Sequence, residues 1–314
     1  MALLSISNMT TVFNCREGQV RACNGISLAI EQGRTLGLIG ETGCGKSVLG
    51  MSIVRLLPSN AVCSGKIIYK NLDLLSLSPS EMRKIRGCEI GLLPQSPSTS
   101  LNPVLKIGEQ LADGLRLHRR MAKEKVKDIA LEMLKSLGLK EPAKRYAEYP
   151  HQLSGGMRQR VLAALSITGQ PSLLIADEPT KGLDAVARVQ VVDLLRQLTR
   201  ETNAALLLIT HDIKVAASLC DEIAVMYSGE IVEKGSAEQV VNYPFHPYTQ
   251  GLLAAQPEKG LYPIPGCSPS LLEDAPGCKF YSRCANKQDK CNCQPVLNRE
   301  VNGTYVRCLN IAQS

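Results

Sequence analysis

The segment Gly40-Glu41-Thr42-Gly43-Cys44-Gly45-Lys46-Ser47 decides the fold of this chain. It matches the pattern G-x-x-x-x-G-K-S/T and directly follows the apolar run Thr35-Leu36-Gly37-Leu38-Ile39, which reads as a buried strand. Glycines in this pattern let the backbone wrap tightly, so that successive N–H groups point at phosphate oxygens near the positive end of the next helix. Because the loop has a strand before it and a helix after it, nucleotide binding is favoured over a purely structural turn.

The last residues of this loop suit a bound nucleotide. Lys46 can reach the β- and γ-phosphates, and the Ser47 hydroxyl can ligate magnesium. Cys44 needs no function, since a small side chain fits at its position. Its place in the loop predicts that thiol alkylation inhibits the protein and that ATP protects against this inhibition.

Two adjacent acids, Asp177 and Glu178, follow a second apolar strand predicted at residues 172–176. At the carboxyl edge of a parallel sheet, Asp177 can hold the magnesium shell, and Glu178 can polarise a water molecule for attack on the γ-phosphate. Two acids after a strand are by themselves more typical of a helix start or a solvated turn. Their combination with the P-loop favours the catalytic interpretation.

A third motif, Leu153-Ser154-Gly155-Gly156-Met157-Arg158-Gln159-Arg160, resembles the signature sequence of ABC ATPases. In that family the serine and the glycines lie at a helix N-terminus and bind the γ-phosphate of ATP that a second subunit holds. The residue types suit this task, because Ser154 can cap a helix and two glycines expose backbone N–H groups at its positive end. Taken alone, the segment would favour a simple helix cap with a glycine turn.

The resemblance to ABC ATPases extends to Gln95, to Asp184 in Gly182-Leu183-Asp184, and to His211, which follows a strand predicted at residues 204–209. It implies that Gln95 contacts magnesium and the attacking water and reports to a membrane partner. It also implies that the loop bearing Asp184 crosses a dimer interface and that His211 contacts the γ-phosphate and stabilises the transition state.

Length and composition are those of an ordinary globular protein, with 314 residues, 44% hydrophobic and 21% charged. With the resemblance, they predict an α/β P-loop NTPase core of the ABC ATPase type at residues 1–243, with a helical subdomain at about 97–166 and a small, irregular, Cys-rich C-terminal extension at 244–314. No apolar run reaches the roughly 20 residues that a bilayer span requires, and the N-terminus has no basic flank of a signal peptide. The net charge of +7 is compatible with a solvated basic face, and the absence of tryptophan argues against nucleic-acid binding.

The segment Pro244-Phe245-His246-Pro247-Tyr248-Thr249-Gln250-Gly251-Leu252-Leu253 resembles a marker of the ATPase subunits of oligopeptide, dipeptide and nickel importers, as does Ile264-Pro265-Gly266. The resemblance implies a protein at the cytoplasmic face of the membrane that couples ATP-driven dimer closure to the import of small peptides. Its partners would be a second ABC ATPase subunit, either a related chain or a second copy, two transmembrane permease subunits and, indirectly, an extracytoplasmic solute-binding protein. A nickel or metal-chelate importer is the alternative within the family. A soluble ABC ATPase that acts on ribosomes or DNA is the rival from another class, although this chain has one cassette and no sustained heptads.

Twelve cysteines are unusual for a protein of the reducing cytosol, and six of them lie in the extension. The stretch Gly277-Cys278-Lys279-Phe280-Tyr281-Ser282-Arg283-Cys284 resembles the tail of dipeptide-importer ATPases that carry a four-iron four-sulfur cluster. The resemblance implies a cluster held by Cys278, Cys284, Cys291 and Cys308, with surrounding lysines and arginines offsetting its charge. A four-thiolate zinc site and free thiols are the alternatives, since sequence spacing does not separate them. The expected cofactors are thus ATP, Mg²⁺ and a 4Fe–4S cluster.

Overall fold

The computed structural model describes residues 2–119, 121–272 and 276–311. The chain divides into two compact units. Unit 1 comprises Glu31–Arg34 and Leu77–Leu207, and unit 2 comprises Ala2–Ile30, Thr35–Ser76 and the chain from Leu208 onward. Within the described ranges, no helix combines the length and the apolar character needed to cross a membrane.

Twelve strands are described in these ranges. They are β1 (Ala2–Cys15), β2 (Gly18–Glu31), β3 (Thr35–Ile39), β4 (Ala61–Tyr69), β5 (Leu72–Asp73), β6 (Ile90–Leu93), β7 (Leu173–Asp177), β8 (Ala205–Thr210), β9 (Glu222–Tyr227), β10 (Glu230–Ser236), β11 (Arg299–Val301) and β12 (Thr304–Val306).

The α-helices of the same ranges are α1 (Lys46–Ile53), α2 (Pro79–Ile85), α3 (Pro97–Ser100), α4 (Ile107–Arg119), α5 (Lys123–Ser136), α6 (Pro142–Ala147), α7 (Gly155–Ser166), α8 (Ala185–Thr202), α9 (Ile213–Leu219), α10 (Ala237–Asn242), α11 (Pro247–Ala254) and α12 (Lys290–Cys293). Short 3-10 turns lie at Pro150–Gln152, Pro257–Lys259 and Tyr281–Arg283.

Unit 2 contains a small sheet and part of a larger one. The small sheet has the order β2-β1-β4-β5, and β1 pairs antiparallel with β4 from Leu4 opposite Tyr69 to Phe13 opposite Ala61. In the larger sheet, β3 pairs parallel with β9, and its order continues through β10 and β12 to β11. Strand β3 is an almost continuous apolar run because a central parallel strand is covered on both faces.

Unit 1 contains parallel strands and most of the helices. Strands β6 and β7 pair in parallel, with Leu93 opposite Ala176. The region from residue 97 to residue 166 is almost entirely helical, from α3 to α7. In α5 the buried residues are Val126, Ala130 and Leu134, while Ile129 and Met133 are only half-buried. Val126, Ala130 and Leu134 thus form the buried face of this helix.

The C-terminal extension from residue 244 onward, called the tail below, has more regular structure than its composition predicts. Strands β11 and β12 form an antiparallel hairpin, and β12 pairs with β10, with Glu233 opposite Val306 and Lys234 opposite Tyr305. The tail therefore extends the larger sheet of unit 2. Among the described residues 255–272, a 3-10 turn lies at Pro257–Lys259 and the other residues form no helix or strand.

Candidate nucleotide site

The predicted P-loop lies in unit 2 between β3 and α1. Gly40, Gly43 and Gly45 have positive φ angles of 156°, 84° and 108°. A Cβ atom on Gly40 would lie 2.2 Å from the Met226 carbonyl oxygen, and one on Gly45 would lie 2.0 Å from that of Ala22. The tight backbone path and its close neighbours therefore require glycine at both positions.

Lys46 is folded into this loop. Its side chain is buried, and Nζ donates hydrogen bonds of 2.8 Å to the carbonyl oxygens of Gly40 and Glu41. A buried ammonium group needs acceptors, and the loop backbone supplies them. Phosphate oxygens are charged acceptors and form stronger hydrogen bonds with an ammonium group than carbonyl oxygens do. The loop thus presents a buried cation that an anionic ligand can engage.

The other residues of the loop differ in accessibility. Thr42, Gly43 and Ser47 are exposed, whereas Cys44 is buried. Burial raises the pKa of the Cys44 thiol, and the nearby Lys46 ammonium only partly opposes this effect. Since the thiolate is the reactive form, alkylation of Cys44 requires the loop to open. Protection of this residue by ATP stays a prediction.

Two residues of the C-terminal tail contact the P-loop, and sequence reasoning assigned neither of them to it. Tyr248 accepts a hydrogen bond of 2.9 Å at its hydroxyl oxygen from the Glu41 backbone N–H. Arg283 donates two hydrogen bonds, of 2.9 and 3.0 Å, to the Glu41 carboxylate. Both residues stand within tail motifs that the sequence analysis singled out for other reasons, so their positions were marked but their contacts were not.

His211 lies in unit 2 directly after β8, whose last residues, 208–210, belong to the same unit. In the sheet order β8 is the neighbour of β3. The His211 side chain is exposed. The next residue, Asp212, caps α9 by accepting hydrogen bonds from the backbone N–H groups of Lys214 and Val215. This cap fixes the turn on which His211 stands.

Unit 1 holds the predicted acids and Gln95. Since β6 and β7 run parallel in register, Gln95 and the pair Asp177–Glu178 leave the sheet at the same edge. Glu178 is buried and has a φ angle of 48°, which is uncommon for a residue other than glycine. Backbone strain of this kind clusters at functional sites. The geometry therefore fits a residue that is held in place for a task.

The signature segment forms the exposed start of α7, also in unit 1. The helix begins at Gly155, directly after Ser154, and the Ser154 hydroxyl accepts a hydrogen bond of 3.3 Å from the Met157 N–H. The space where a Gly155 Cβ atom would stand is open, with no atom within 4 Å. An accessible helix N-terminus of this kind is suited to an anion.

Two cavities join the signature segment to other predicted residues of unit 1. A cavity of about 850 Å³ is lined by Ser154, Gly155, Gly156 and the loop from Gly182 to Asp184. A second one, of about 470 Å³, is lined by Gln95, Gly155 and Lys181. Asp184 also caps α8, because its carboxylate accepts a hydrogen bond of 2.8 Å from the Ala187 N–H.

The structure thus groups the predicted residues in two sets. The P-loop and His211 belong to unit 2, and Gln95, Asp177, Glu178, Ser154, Gly155, Gly156 and Asp184 belong to unit 1. The predicted magnesium ligands Ser47, Gln95 and Asp177 come from both sets, and this assignment stays a prediction.

The predicted iron–sulfur cluster is wrong. Cys278, Cys284, Cys291 and Cys308 do line a common cavity, together with His246 and Phe280, but its volume is only about 20 Å³, roughly that of one water molecule. Among the residues that the structure describes, no group of three or more His, Cys, Asp or Glu side chains is arranged to hold a metal ion.

The chemistry of the cavity explains this correction. Burial raises the pKa of Cys278 to about 11 and also raises the pKa values of Cys284 and Cys308. A metal requires the thiolate, and these surroundings favour the neutral thiol. Two basic residues of the same segment are paired with carboxylates instead, since Arg283 binds Glu41 and the Lys279 ammonium lies 3.7 Å from the Glu230 carboxylate. No charge is therefore left to offset an anionic cluster at these two positions.

Comparison with protein families gives two matches that cover different parts of the chain. A model described as ABC transporter matches residues 23–181. A model described as the C-terminal region of oligopeptide/dipeptide transporters matches residues 232–291. The first match includes the P-loop, the signature segment and the two acids, and the second includes Tyr248 and Arg283.

Relatives are similar over nearly the whole length of the chain. The dipeptide transport ATP-binding protein DppD of Bacillus subtilis is 42% identical over 92% of this chain and 89% of its own length. The oligopeptide transport ATP-binding protein OppD of Escherichia coli is 39% identical over 98% of this chain and 93% of its own length. Both are described as transport ATP-binding proteins.

Solved structures share the fold. The ATP-binding cassette MJ0796, described as dimeric and in a post-hydrolysis state bound to ADP and phosphate, aligns with a TM-score of 0.67 at 29% identity. The alignment covers 74% of this chain and 98% of that one. The cassette cbiO1 of Clostridium perfringens, described as part of the transporter complex cbiONQ, aligns with a TM-score of 0.63 at 25% identity.

Proposed function

Since this chain belongs to the ABC transporter family and is an ATPase of that family, we propose that it powers the import of dipeptides or oligopeptides through a membrane transporter. The match of residues 232–291 to the C-terminal region of oligopeptide/dipeptide transporters supports peptides as the cargo. The peptide-transport relatives DppD and OppD align with 92% and 98% of this chain, and this similarity over nearly its whole length also supports peptides as the cargo.

One observation carries the proposed mechanism, which is the open helix start at Ser154–Gly156 beside a cavity of about 850 Å³. The donors of this segment are accessible to a ligand that another molecule holds. In the proposed arrangement, the P-loop of one subunit and the signature segment of a second subunit enclose one ATP molecule. Dimeric structures of the cassette MJ0796 support such an arrangement for this fold. The partner is a second copy of this chain or a related ATPase.

Each group has a task in this scheme. Lys46 exchanges its two backbone acceptors for oxygens of the β- and γ-phosphates, and Ser154 with its glycines donates to the γ-phosphate from the opposite side. Each charge-assisted hydrogen bond contributes about 1.5–3 kcal/mol, so bound ATP holds two subunits together. The γ-phosphate accepts hydrogen bonds from Lys46 of one subunit and from the Ser154 segment of the other. Hydrolysis removes this common acceptor, and the subunits separate.

Glu178 is the proposed base, and His211 and Gln95 assist it. The Glu178 carboxylate accepts a proton from the attacking water, Gln95 orients that water, and His211 donates to the γ-phosphate as charge develops on its oxygens. The Ser47 hydroxyl, the Gln95 amide oxygen and the Asp177 carboxylate are hard oxygen donors, the type that Mg²⁺ prefers. Bound magnesium would neutralise phosphate charge there.

The remaining partners follow from the proposed transport role. Two transmembrane permease subunits would receive the movement of the closing dimer, and Gln95 with its neighbouring helices is the proposed contact. The protein would then be peripheral at the cytoplasmic face of the membrane, and an extracytoplasmic solute-binding protein would deliver the peptide.

The variant Glu178→Gln tests this proposal. It removes the base and keeps the size of the side chain, so ATP binding is retained while turnover falls by about a thousandfold, and a stable dimer accumulates with ATP. Steady-state hydrolysis and size-exclusion chromatography with and without ATP measure both effects. The matched control is Glu132→Gln at an exposed position of α5, which leaves both unchanged. Near-normal turnover of Glu178→Gln removes this residue as the base.

A further inference from the structure

The C-terminal tail reaches the P-loop through a buried ion pair. Arg283 donates from both terminal nitrogens to the two carboxylate oxygens of Glu41, at 2.9 and 3.0 Å. The side chain of Arg283 is only 6% exposed, and that of Glu41 is 28% exposed. The Ser268 hydroxyl donates a further hydrogen bond of 2.6 Å to the same carboxylate. Bidentate geometry of this kind gives both strength and a fixed orientation.

Two further contacts tie the same tail to the loop. The Tyr248 hydroxyl accepts from the Glu41 N–H, so both the backbone and the side chain of Glu41 are held. At the other end of the loop, the Cys44 carbonyl accepts a hydrogen bond of 2.9 Å from the Gly229 N–H. Lys279 donates to the carbonyl oxygen of Ser228, the residue before Gly229, at 2.9 Å. The tail thus holds the loop at Glu41 directly and at Cys44 through one turn.

Arg283 is itself rigidly placed. Its Nε donates to the Pro265 carbonyl at 2.9 Å, and its guanidinium lies 5.8 Å from the ring centre of Tyr227. Phe280, one turn earlier, packs edge-on against Tyr227 and Tyr248, with ring centres 5.2 and 5.4 Å apart. An arginine that is fixed by an aromatic cluster transmits position and charge with little freedom.

The charge of Glu41 explains why the loop needs this partner. A P-loop collects phosphate groups, and a carboxylate beside them repels the ligand. Burial alone would raise the pKa of Glu41, but the hydrogen bonds from Arg283 and Ser268 outweigh it and lower that pKa. Glu41 is therefore ionised at neutral pH, and Arg283 is the cation in direct contact with its side chain.

We propose that Arg283 is a positioning residue for ATP binding, because its guanidinium neutralises Glu41 and holds the first half of the P-loop in the shape that receives phosphate. The tail region 244–314 is then part of the nucleotide site and sets its affinity. This inference rests on the proposed nucleotide site at Gly40–Ser47.

The test compares Arg283→Gln, Arg283→Lys and the double variant Glu41→Gln/Arg283→Gln in the full-length protein. In Arg283→Gln the uncompensated carboxylate repels phosphate, so the KM and Kd for Mg·ATP rise about tenfold while kcat at saturation changes little. Arg283→Lys keeps the positive charge but cannot donate two parallel hydrogen bonds to the carboxylate. Its KM is therefore expected to lie between those of the unmodified protein and Arg283→Gln. The double variant removes both charges and recovers most of the lost affinity.

Salt separates this electrostatic role from a merely structural one. The ratio of KM values of Arg283→Gln and the unmodified protein shrinks as salt rises from about 0.05 to 0.5 M, because ions screen the partly exposed Glu41 carboxylate. Arg299→Gln, at an exposed position of the same tail, is the matched control and keeps the KM of the unmodified protein. Thermal unfolding shows whether each variant is folded, and if Arg283→Gln does not fold, Arg283→Lys and the double variant carry the test.

Each outcome decides one statement. A KM of folded Arg283→Gln within twofold of the unmodified value overturns the inference, and so does a double variant as impaired as Arg283→Gln. If Arg283→Gln does not fold, an unchanged KM in Arg283→Lys together with an impaired double variant overturns it. Lys46→Ala is measured in parallel, and equal ATP binding by Lys46→Ala and the unmodified protein overturns the proposed site itself. If Lys46→Ala loses ATP binding while Arg283→Gln binds ATP normally, the proposed site stands and only the role of Arg283 is rejected.

Discussion

The P-loop and the cysteine cavity lie in the same unit, and both carry side-chain patterns that resemble binding sites of known proteins. The P-loop holds a buried cation, Lys46, whose two acceptors are backbone carbonyls. The cavity holds Cys278, Cys284 and Cys308, whose pKa values burial raises, beside a histidine that burial keeps neutral. The P-loop therefore stabilises a charged group, whereas the surroundings of the cavity favour neutral side chains.

This difference teaches what a motif needs besides its residues. The P-loop pattern comes with a strand before it and a helix after it, and these elements fix the direction of its N–H groups. The cysteine pattern comes with a loop-rich tail, where spacing alone does not decide whether thiols meet as thiolates or as packed neutral groups.

Lys46→Ala produces the largest change, because it removes the buried cation of the P-loop. Two charge-assisted hydrogen bonds to phosphate are lost, each worth about 1.5–3 kcal/mol, so the affinity for ATP falls by at least a hundredfold. Equilibrium binding of ATP with magnesium measures this loss. Lys66→Ala, at an exposed position of β4, is the control and binds normally. If Lys46→Ala binds ATP as tightly as the unmodified protein, Lys46 is not a phosphate-binding cation of the P-loop.

Much of the P-loop side could be predicted from the sequence. The strand ahead of Gly40, the helix after Gly45 and the cap by Ser154 all follow from local patterns of apolar residues, glycine and serine, and each is present. Local rules are sufficient there because each element is specified within about ten residues. The boundaries of β7 and β8 moved by a single residue from the expected ones.

The contacts of the tail could not be predicted in the same way. Glu41 and Arg283 are far apart in the chain, and nothing in either local pattern indicates that they pair. Hairpin β11–β12 joins the sheet through β10, and its short strands carry too little alternation to be recognised as part of a core. Long-range packing decided these features, and the same packing left the cavity, at about 20 Å³, too small for the predicted cluster.

Lowering the pH from 7 to 5 is expected to lower the free energy of unfolding by about 2 kcal/mol, through His246 in the cysteine cavity. Burial lowers the pKa of His246 to about 3, against about 6.5 in the unfolded chain. Below pH 6.5 the unfolded state binds a proton that the folded state refuses, so the stability from neutral His246 is complete above pH 6.5 and declines as the pH falls toward 3. Urea unfolding followed by circular dichroism at pH 7 and pH 5 measures the loss.

The control for this pH effect is His246→Gln, which does not titrate. Glu233 accepts hydrogen bonds from the N–H groups of Phe245 and His246, and burial raises its pKa, so just above pH 4.5 it acts in the opposite direction. Because Glu233 is present in both proteins, the difference between their slopes isolates the histidine. Equal slopes in both proteins mean that His246 is charged in the fold, which breaks the contrast with the P-loop.

Thiol labelling gives the smallest functional effect and the sharpest comparison of the two regions. Exposed Cys267 and Cys293 react with a maleimide at least about tenfold faster than buried Cys291 and Cys308, because the reagent reaches the exposed thiols directly. Mass spectrometry of peptides after timed quenching measures each rate, and unfolded protein, in which all positions react alike, is the control.

Cys44 is expected to label slowly, and more slowly still with ATP, because its reaction needs the P-loop to open. ATP leaves the labelling rates of the cavity thiols unchanged. Fast labelling of the cavity thiols means that they are open thiolates, and normal hydrolysis by protein labelled at Cys44 means that this residue lies away from the phosphates.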